Sequence, residues 1–380
     1  MTRWSAPLAA LLVGVSSVRA ERPGAAFLTL DPSVRSQALG GSQALLTGAE
    51  AMGHNPAGLA LLPVAGEAIA NYGPLDEGVS YGHAAVARRW PGRGPVAGLS
   101  VTGLFADGGN GTDALGQPVG GSTDAGDFSF AAGLGGGLVP NVFWGLAGRG
   151  VRSTLAGVSS DWAWAGDVGL LYRLPRASLG VSAQNLGTEL KFERDGDPLP
   201  SSVRCDAAWT TGAWALVGQA RFDLPEKKNR WTAGVEYRTG PLVLRGGSLL
   251  AESGGVKTGG GLEESSFLEK ISFGMGFQFK AARLDYALAD QAGGDRAWHR
   301  LALVWRGGGE GNRWTSRAPG DRLGEPRPPA PKKVPSIKGL NKKPLKKGPP
   351  VVKKAPAAPE TAPAPKTGER VRPSLKNFDY

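Results

Sequence analysis

Residues 271–280 read Ile271-Ser272-Phe273-Gly274-Met275-Gly276-Phe277-Gln278-Phe279-Lys280. In an extended chain Ile271, Phe273, Met275, Phe277 and Phe279 fall on one side, and Ser272, Gly274, Gly276, Gln278 and Lys280 on the other. A soluble sandwich would bury the phenylalanine side. A membrane barrel would turn it to lipid and leave the small and polar side to line the interior. The same alternation recurs upstream, where Trp162, Trp164, Val168, Leu170 and Tyr172 share a face opposite Asp161, Asp167 and Arg173. Near the end of the pattern, His299, Leu301, Leu303 and Trp305 again share one face. From Val64 to Arg306 the chain divides into about fourteen such segments, the dyad repeat of a transmembrane antiparallel β-barrel.

The connections favour the membrane form over the sandwich. With Val64 to Tyr72 as the first strand, every second link is short: Trp90 to Gly94, Pro140-Asn141, Leu174 to Arg176, Thr211 to Ala213, Thr239 to Pro241 and Lys280 to Ala282. The alternate links include Ala106 to Ala125, Gly187 to Ser201 and Ala251 to Leu262, all longer and polar. Outer-membrane barrels sort their loops this way, with tight periplasmic turns and long outward loops. Nine of the eleven tryptophans lie between Trp90 and Trp305, several at segment ends where an indole suits a membrane interface.

Charge and composition divide the remainder. Residues 311–380 hold 17 Lys and Arg against 5 Asp and Glu, leaving 27 against 28 in the rest of the chain. They also hold 14 of the 29 prolines. Residues 307–380 are therefore expected to be a disordered, extended basic tail in the periplasm, either a solvated spacer or a contact to anionic cell wall, the inner face of the membrane or an acidic partner, with nucleic acid improbable there. At the other end, Arg3, the apolar run Ala6 to Val15 and Val18-Arg19-Ala20 read as a secretory signal over residues 1–20, with the mature chain starting at Glu21. The bacterial outer membrane is the expected location. A single cysteine, Cys205, excludes an internal disulfide and reads as a small lipid-facing residue.

Residues 21–63 belong to neither signal nor barrel. Asp31-Pro32 resembles a helix N-cap and first turn, with Val34, Ala38 and Leu39 following and Gly40-Gly41 as the stop. Asn55-Pro56-Ala57-Gly58 has the residues of a type I turn and leads into Leu59 to Leu62. A compact, half-apolar plug packed in the barrel mouth is expected. Phe27, Leu28, Leu45, Leu46 and Leu59 are its candidate ligand-facing residues.

Two motifs carry a family resemblance. The first is Ala38-Leu39-Gly40-Gly41, then Glu50, then Asn55-Pro56-Ala57-Gly58-Leu59. The second is Gln184-Asn185-Leu186-Gly187, then Gly196-Asp197-Pro198-Leu199-Pro200 and Arg204. In this order they resemble the PorV/PorQ family of outer-membrane proteins, similar in fold to long-chain fatty-acid transporters of the FadL type. Gly48-Ala49 stands where that family often has a further acidic residue, and His54 where it has an aromatic one. The resemblance implies a fourteen-stranded barrel with an N-terminal hatch. It also implies a role in type IX-like secretion, receiving exported proteins that bear a C-terminal sorting domain.

Catalytic chemistry finds little footing, and no enzyme activity, cofactor or metal is expected. Gly78-Val79-Ser80-Tyr81-Gly82 has nucleophile-elbow spacing, but its serine begins an alternating strand instead of a strand-to-helix turn. His54, His83 and His299 are the only histidines and are far apart in sequence. His83 and His299 read as strand residues near an interface and His54 as a turn residue. Gly255-Val256-Lys257-Thr258 lacks the glycine that precedes lysine in a phosphate-binding loop. Three functions remain: a barrel that binds secreted cargo through loops such as Gly187 to Ser201, a transporter of small hydrophobic molecules, and a structural barrel tethered to the wall by its tail. The alternation also predicts that Trp162→Asp impairs membrane assembly and that Asp167→Asn is tolerated.

Overall fold

A computed structural model of the chain describes residues 21–310, apart from 77, 91–93, 109, 113–117, 123, 194, 255–270 and 290–296. The expected signal segment over residues 1–20, the Gly255 to Thr258 run and the basic residues beyond 310 lie outside the described residues. The barrel strands are β1 (Val64–Asp76), β2 (Val79–Arg89), β3 (Val96–Ala106), β4 (Ala125–Val139), β5 (Val142–Leu155), β6 (Ala163–Arg173) and β7 (Ala177–Gly187). They continue with β8 (Ser202–Thr211), β9 (Trp214–Asp223), β10 (Lys228–Thr239), β11 (Leu242–Gly254), β12 (Ile271–Gln278), β13 (Ala282–Ala289) and β14 (Trp298–Glu310). Each pairs antiparallel with its neighbours in sequence, and β1 pairs with β14, so the sheet closes into a fourteen-stranded barrel with no free edge. The last strand runs past Arg306 to Glu310 and the first past Tyr72 to Asp76.

The dyad reading of the faces holds. Phe273, Met275, Phe277, Leu301, Leu303 and Trp305 point outward and are exposed, while Ser272 and Arg300 on the same strands, and Asp285 on β13 between them, are buried. Trp162, Trp164, Val168, Leu170 and Tyr172 likewise face out, and Asp167 faces in. Cys205 is exposed on β8. No helix of the described residues is long and apolar enough to cross a membrane, and this barrel would cross with its strands. The turns after β8 and β10 place Gly212 and Gly240 at φ +56°, a conformation that glycine adopts without the steric cost of a Cβ and that matches the strand twist of a tight hairpin. Both barrel ends, Val64 and Glu310, lie at the short-turn end, which is inner in outer-membrane barrels.

The N-terminal segment fills the lumen over its height, and is more than a stopper in the mouth. At the outer end Glu21 N donates to Pro225 O at 2.9 Å and Gly24 N to Pro198 O at 3.0 Å. At the inner end Arg89 Nη2 donates to Leu62 O at 2.8 Å. Between these lie 3₁₀ helices at Ala26–Thr29, Gly48–Ala51 and Pro56–Leu61 and one turn of α-helix, α1 (Val34–Gln37). The N-cap of α1 is Ser33, whose hydroxyl accepts from Ser36 N at 3.2 Å. Asp31 instead accepts from Ser33 N at 2.9 Å, so the helix begins two residues later than the Asp31-Pro32 reading places it. Asn55 caps the last 3₁₀ helix by accepting from Ala57 N at 3.0 Å, so the expected type I turn continues as a helix.

The hydrophobic core lies between plug and wall. Val34, Ala38, Ala49, Met52, Leu59 and Leu62 of the plug pack on Ile69, Val96, Ala287 and Val304 of the barrel. Ala57, Ala60 and Leu61 form a second cluster with Phe143 and Leu171.

Candidate functional site

The polar face of the wall is occupied by the plug through a connected set of buried ion pairs. Arg35 of α1 makes a fork to Glu236 on β10, with Nε and Nη2 each 2.9 Å from a carboxylate oxygen. The same carboxylate receives Arg245 Nε at 2.8 Å and Arg238 Nη2 at 2.7 Å. Arg245 continues to Asp285 at 2.6 Å, Asp285 to Arg283 at 2.6 Å, and Arg283 returns to the plug at Glu50, 2.7 Å away. Burial costs each of these ions its hydration, and the paired geometry offsets that cost. On the adjacent strand β14, Arg300 donates to the Asp31 carbonyl, to Gln37 Oε1 at 3.2 Å and to Asn71 Oδ1 at 2.7 Å, with its guanidinium 4.7 Å from the Tyr81 ring centre. Glu67 joins Ala49 N at 3.0 Å to Arg306 at 2.7 Å. These wall residues escaped the sequence reading, although Arg283-Leu284-Asp285 already shows opposite charges at two inward positions of one strand.

The first motif proves to be docking hardware. Gly40 and Gly41 have φ of +71° and +90°, and Gly40 N donates to Ser272 Oγ at 3.1 Å. Asn55 Nδ2 reaches the wall carbonyls of Leu170 at 3.1 Å and Val181 at 3.3 Å. Pro56, Ala57 and Gly58 are buried against β4, β5 and β6. Glu50 is the plug's acidic contact with Arg283.

His54 is buried, with Nε2 3.1 Å from Asp31 Oδ1. Burial alone would push the Asp31 carboxyl up. The His54 ring beside it and hydrogen bonds from Ser36 and Ser33 N outweigh burial and hold it at about 2, below its ordinary 3.8. A carboxyl depressed in the folded state stabilises above its unfolded value and loses that contribution as pH falls through its folded one. Asp31 therefore stabilises the folded plug above pH ~4, a contribution of order 2 kcal/mol that is lost as pH approaches ~2. Measured by protection of residues 21–62 from protease, the difference between wild type and Asp31→Asn should be constant from pH 7 to 4 and vanish near pH 2.

The second motif lies at the outer end. At Asn185, φ is +55° and the register between β6 and β7 shifts between Ala183 and Leu186. The bulge is held from both sides: Asn185 N donates to Asp167 Oδ1 at 2.7 Å, and Asn185 Nδ2 to Pro200 O at 3.1 Å. Gln184 points into the lumen toward Gln43 at 3.4 Å. Gly187 has no room for a Cβ beside the Trp164 carbonyl. Asp197 pairs with Leu190 in a small hairpin, Pro198 accepts from Gly24, and Leu199 is buried. Arg204 faces inward and is buried, directly across from Arg221 on β9.

Asp167 is thus not a spare lumen charge. It also takes Arg149 Nη2 at 2.9 Å, so Asp167→Asn, expected to leave membrane assembly intact, removes a buried ion pair. That substitution should lower barrel stability by about 1.5–3 kcal/mol, the worth of a charged hydrogen bond, read from the urea midpoint in micelles. Trp162, outward and near Trp164, retains its expected sensitivity to a charge.

Above this polar layer sits an apolar chamber filled by its own packed side chains. Ala25 and Phe27 of the plug, Val151 of β5, Ala163 of β6, and Leu190 and Leu199 of the link after β7 are packed together, with Leu28, Leu104 and Phe192 against them. The link from Gly187 to Ser201 therefore folds inward over the mouth. The five leucine and phenylalanine candidates do not converge: Phe27 and Leu28 meet in the chamber, Leu45 packs near Leu39, Ala208 and Val217, and Leu46 and Leu59 are buried elsewhere in the plug. His83 faces inward, 2.8 Å from Thr102 Oγ1, instead of lying at an interface, and His299 faces outward beside the Tyr286 hydroxyl at 2.7 Å.

No protein-family model and no curated protein matches this sequence. Solved structures do. The crystal structure of the toluene transporter TodX of Pseudomonas putida aligns with TM-score 0.51 at 13% identity, over 72% of this chain and 97% of TodX. The barrel shares its fold with TodX. A second TodX crystal structure aligns with TM-score 0.50 at 12% identity, over 74% of this chain and 100% of that one. A FadL homologue of Pseudomonas aeruginosa aligns over 72% of this chain and 98% of its own at 11% identity, with TM-score 0.46. The TodX structures are those of a toluene transporter, and the likeness concerns the fold.

Proposed function

We propose that the protein passes small hydrophobic molecules across the outer membrane and that they bind first in the chamber around Phe27. The observation that carries this reading is this group of inward-facing apolar side chains at the outer end of the lumen, above the ion-paired layer. Apolar side chains with few polar groups are the usual lining of small-molecule sites. The shared fold with a toluene transporter supports it. A hydrophobic solute would gain by leaving water there, displacing the Phe27 ring from Val151, Leu190 and Leu199. Leu199→Asp places a carboxylate in the chamber and should lower uptake of labelled toluene into cells at least about tenfold, equivalent to ~1.4 kcal/mol, without altering the barrel's heat-modifiable gel mobility. Uptake equal to wild type would refute the reading.

A cargo-binding role in a type IX-like pathway is the second reading, and its support is the two-motif resemblance. The residues of the first motif are engaged in seating the plug, which leaves them little surface for cargo. Purification in mild detergent separates the two readings: co-purified secreted proteins sharing one C-terminal domain favour cargo binding, and a retained small apolar molecule favours transport.

A further inference from the structure

The lipid-facing wall carries a recess of about 550 Å³ across β2 to β5, within the ~300–1,000 Å³ range of small-ligand sites. Its floor is made by the small outward residues Ala97, Ala132 and Gly148, and its sides by Val86, Leu99, Leu134 and Leu146. The cross-strand register sets these in two rows, Val86, Leu99, Ala132, Gly148 and Arg88, Ala97, Leu134, Leu146. The second row is nearer the inner end, and Arg88 closes it. Arg88 points outward next to Gly66 on β1 and Ala97 on β3, and exposed Trp90 follows it at the level where an indole marks the membrane interface.

A guanidinium on this face has no carboxylate on the flanking outward positions Gly66, Ala68, Val86, Ala97 and Leu99. An arginine on the outside of a barrel costs about 0–1 kcal/mol near the interface and more toward the midplane, so a phosphate brought to it is favoured. Its planar fork matches phosphate oxygens in pairs. The inner end faces the periplasmic leaflet, whose lipids place their phosphates at this level and their acyl chains toward the bilayer centre, along the recess. A lipopolysaccharide would enter from the opposite end with its phosphates far from Arg88. We propose that this recess holds one glycerophospholipid of the periplasmic leaflet, with its phosphate on Arg88 and an acyl chain over Ala97, Ala132 and Gly148.

The test uses the full-length protein in mild detergent, washed free of lipid and titrated with dioleoyl phosphatidylethanolamine under native mass spectrometry. One lipid should bind at least tenfold more tightly than those that follow. Arg88→Gln and Gly148→Leu should each weaken that first lipid about tenfold, erasing the gap. A Cβ at Gly148 meets nothing within 4 Å, so the larger side chain fills the recess without straining the strand. Arg152→Gln, an exposed arginine near the outer end whose guanidinium lies 5.8 Å from the Trp162 ring, should leave the first lipid unchanged. Equal binding of successive lipids by wild type overturns the proposal. So does insensitivity to both variants, preferential capture of lipopolysaccharide, or a dimer whose interface covers the recess.

Discussion

Glu236→Gln should release the plug from the wall. The Glu236 carboxylate is fully buried and is shared by Arg35, Arg238 and Arg245, all within 2.9 Å. Neutralising it leaves three guanidinium groups around an amide. Arg245 keeps Asp285, but Arg35 on the plug has no other carboxylate among its hydrogen-bond partners, only the Leu45 carbonyl at 3.1 Å. Removing one member of a buried pair costs about 3–5 kcal/mol, because the remaining charge stays desolvated. The expected readings are a lower urea midpoint and faster protease cleavage within residues 21–62. Arg35→Gln should cost a similar amount, and the double variant much less than the sum, since each single change strands the other's charge. Strict additivity would mean that the pair does not hold the plug.

Gly145→Val should unseat the inner end of the plug while sparing the barrel. A Cβ at Gly145 would overlap the carbonyl carbon of Pro56 and the amide nitrogen of Ala57, backbone atoms with no rotamer in which to escape. The 3₁₀ helix Pro56–Leu61 must move away from β5. Overpacking of about 3 kcal/mol corresponds to roughly a hundredfold rise in the undocked population. The outward face of β5 is untouched, so assembly and gel mobility should be retained. Ion conductance in planar bilayers and leakage of small hydrophilic solutes should rise. Gly148→Ala, three residues along on the outward face with open space around its Cβ, should change neither.

The lipid-facing pattern was legible because a barrel wall obeys one local rule: alternate residues see different solvents. Phe273, Met275 and Phe277 declare their face without reference to any other strand. The strand count and the parity of the links follow from the same rule. The plug was legible only as a segment that did not alternate. Its reach through the lumen depends on contacts such as Arg35 to Glu236, 201 residues apart, for which no local pattern exists. Asp167 illustrates the same gap. Its inward direction was evident, but its partners Arg149 and Asn185 are set by register and by a bulge at a non-glycine residue with positive φ. The wall glycines at 145 and 247 carry no local signal of their own, and only the structure shows which plug backbone fills each space.

The path of residues 21–63, from the outer rim down to the first strand, bears on how the molecule is made. The strand that follows this segment is also the one that closes the seam with the last strand, β14. A ring zipped shut around an empty centre would hold Glu236, Asp285, Arg283 and Arg300 with part of their complement missing. The free energy of sealing therefore depends on the presence of a cargo encoded in the same chain. Because the segment is continuous with β1, the strand that closes the seam also carries the filling. Closing the cylinder and packing its centre are then linked through one strand.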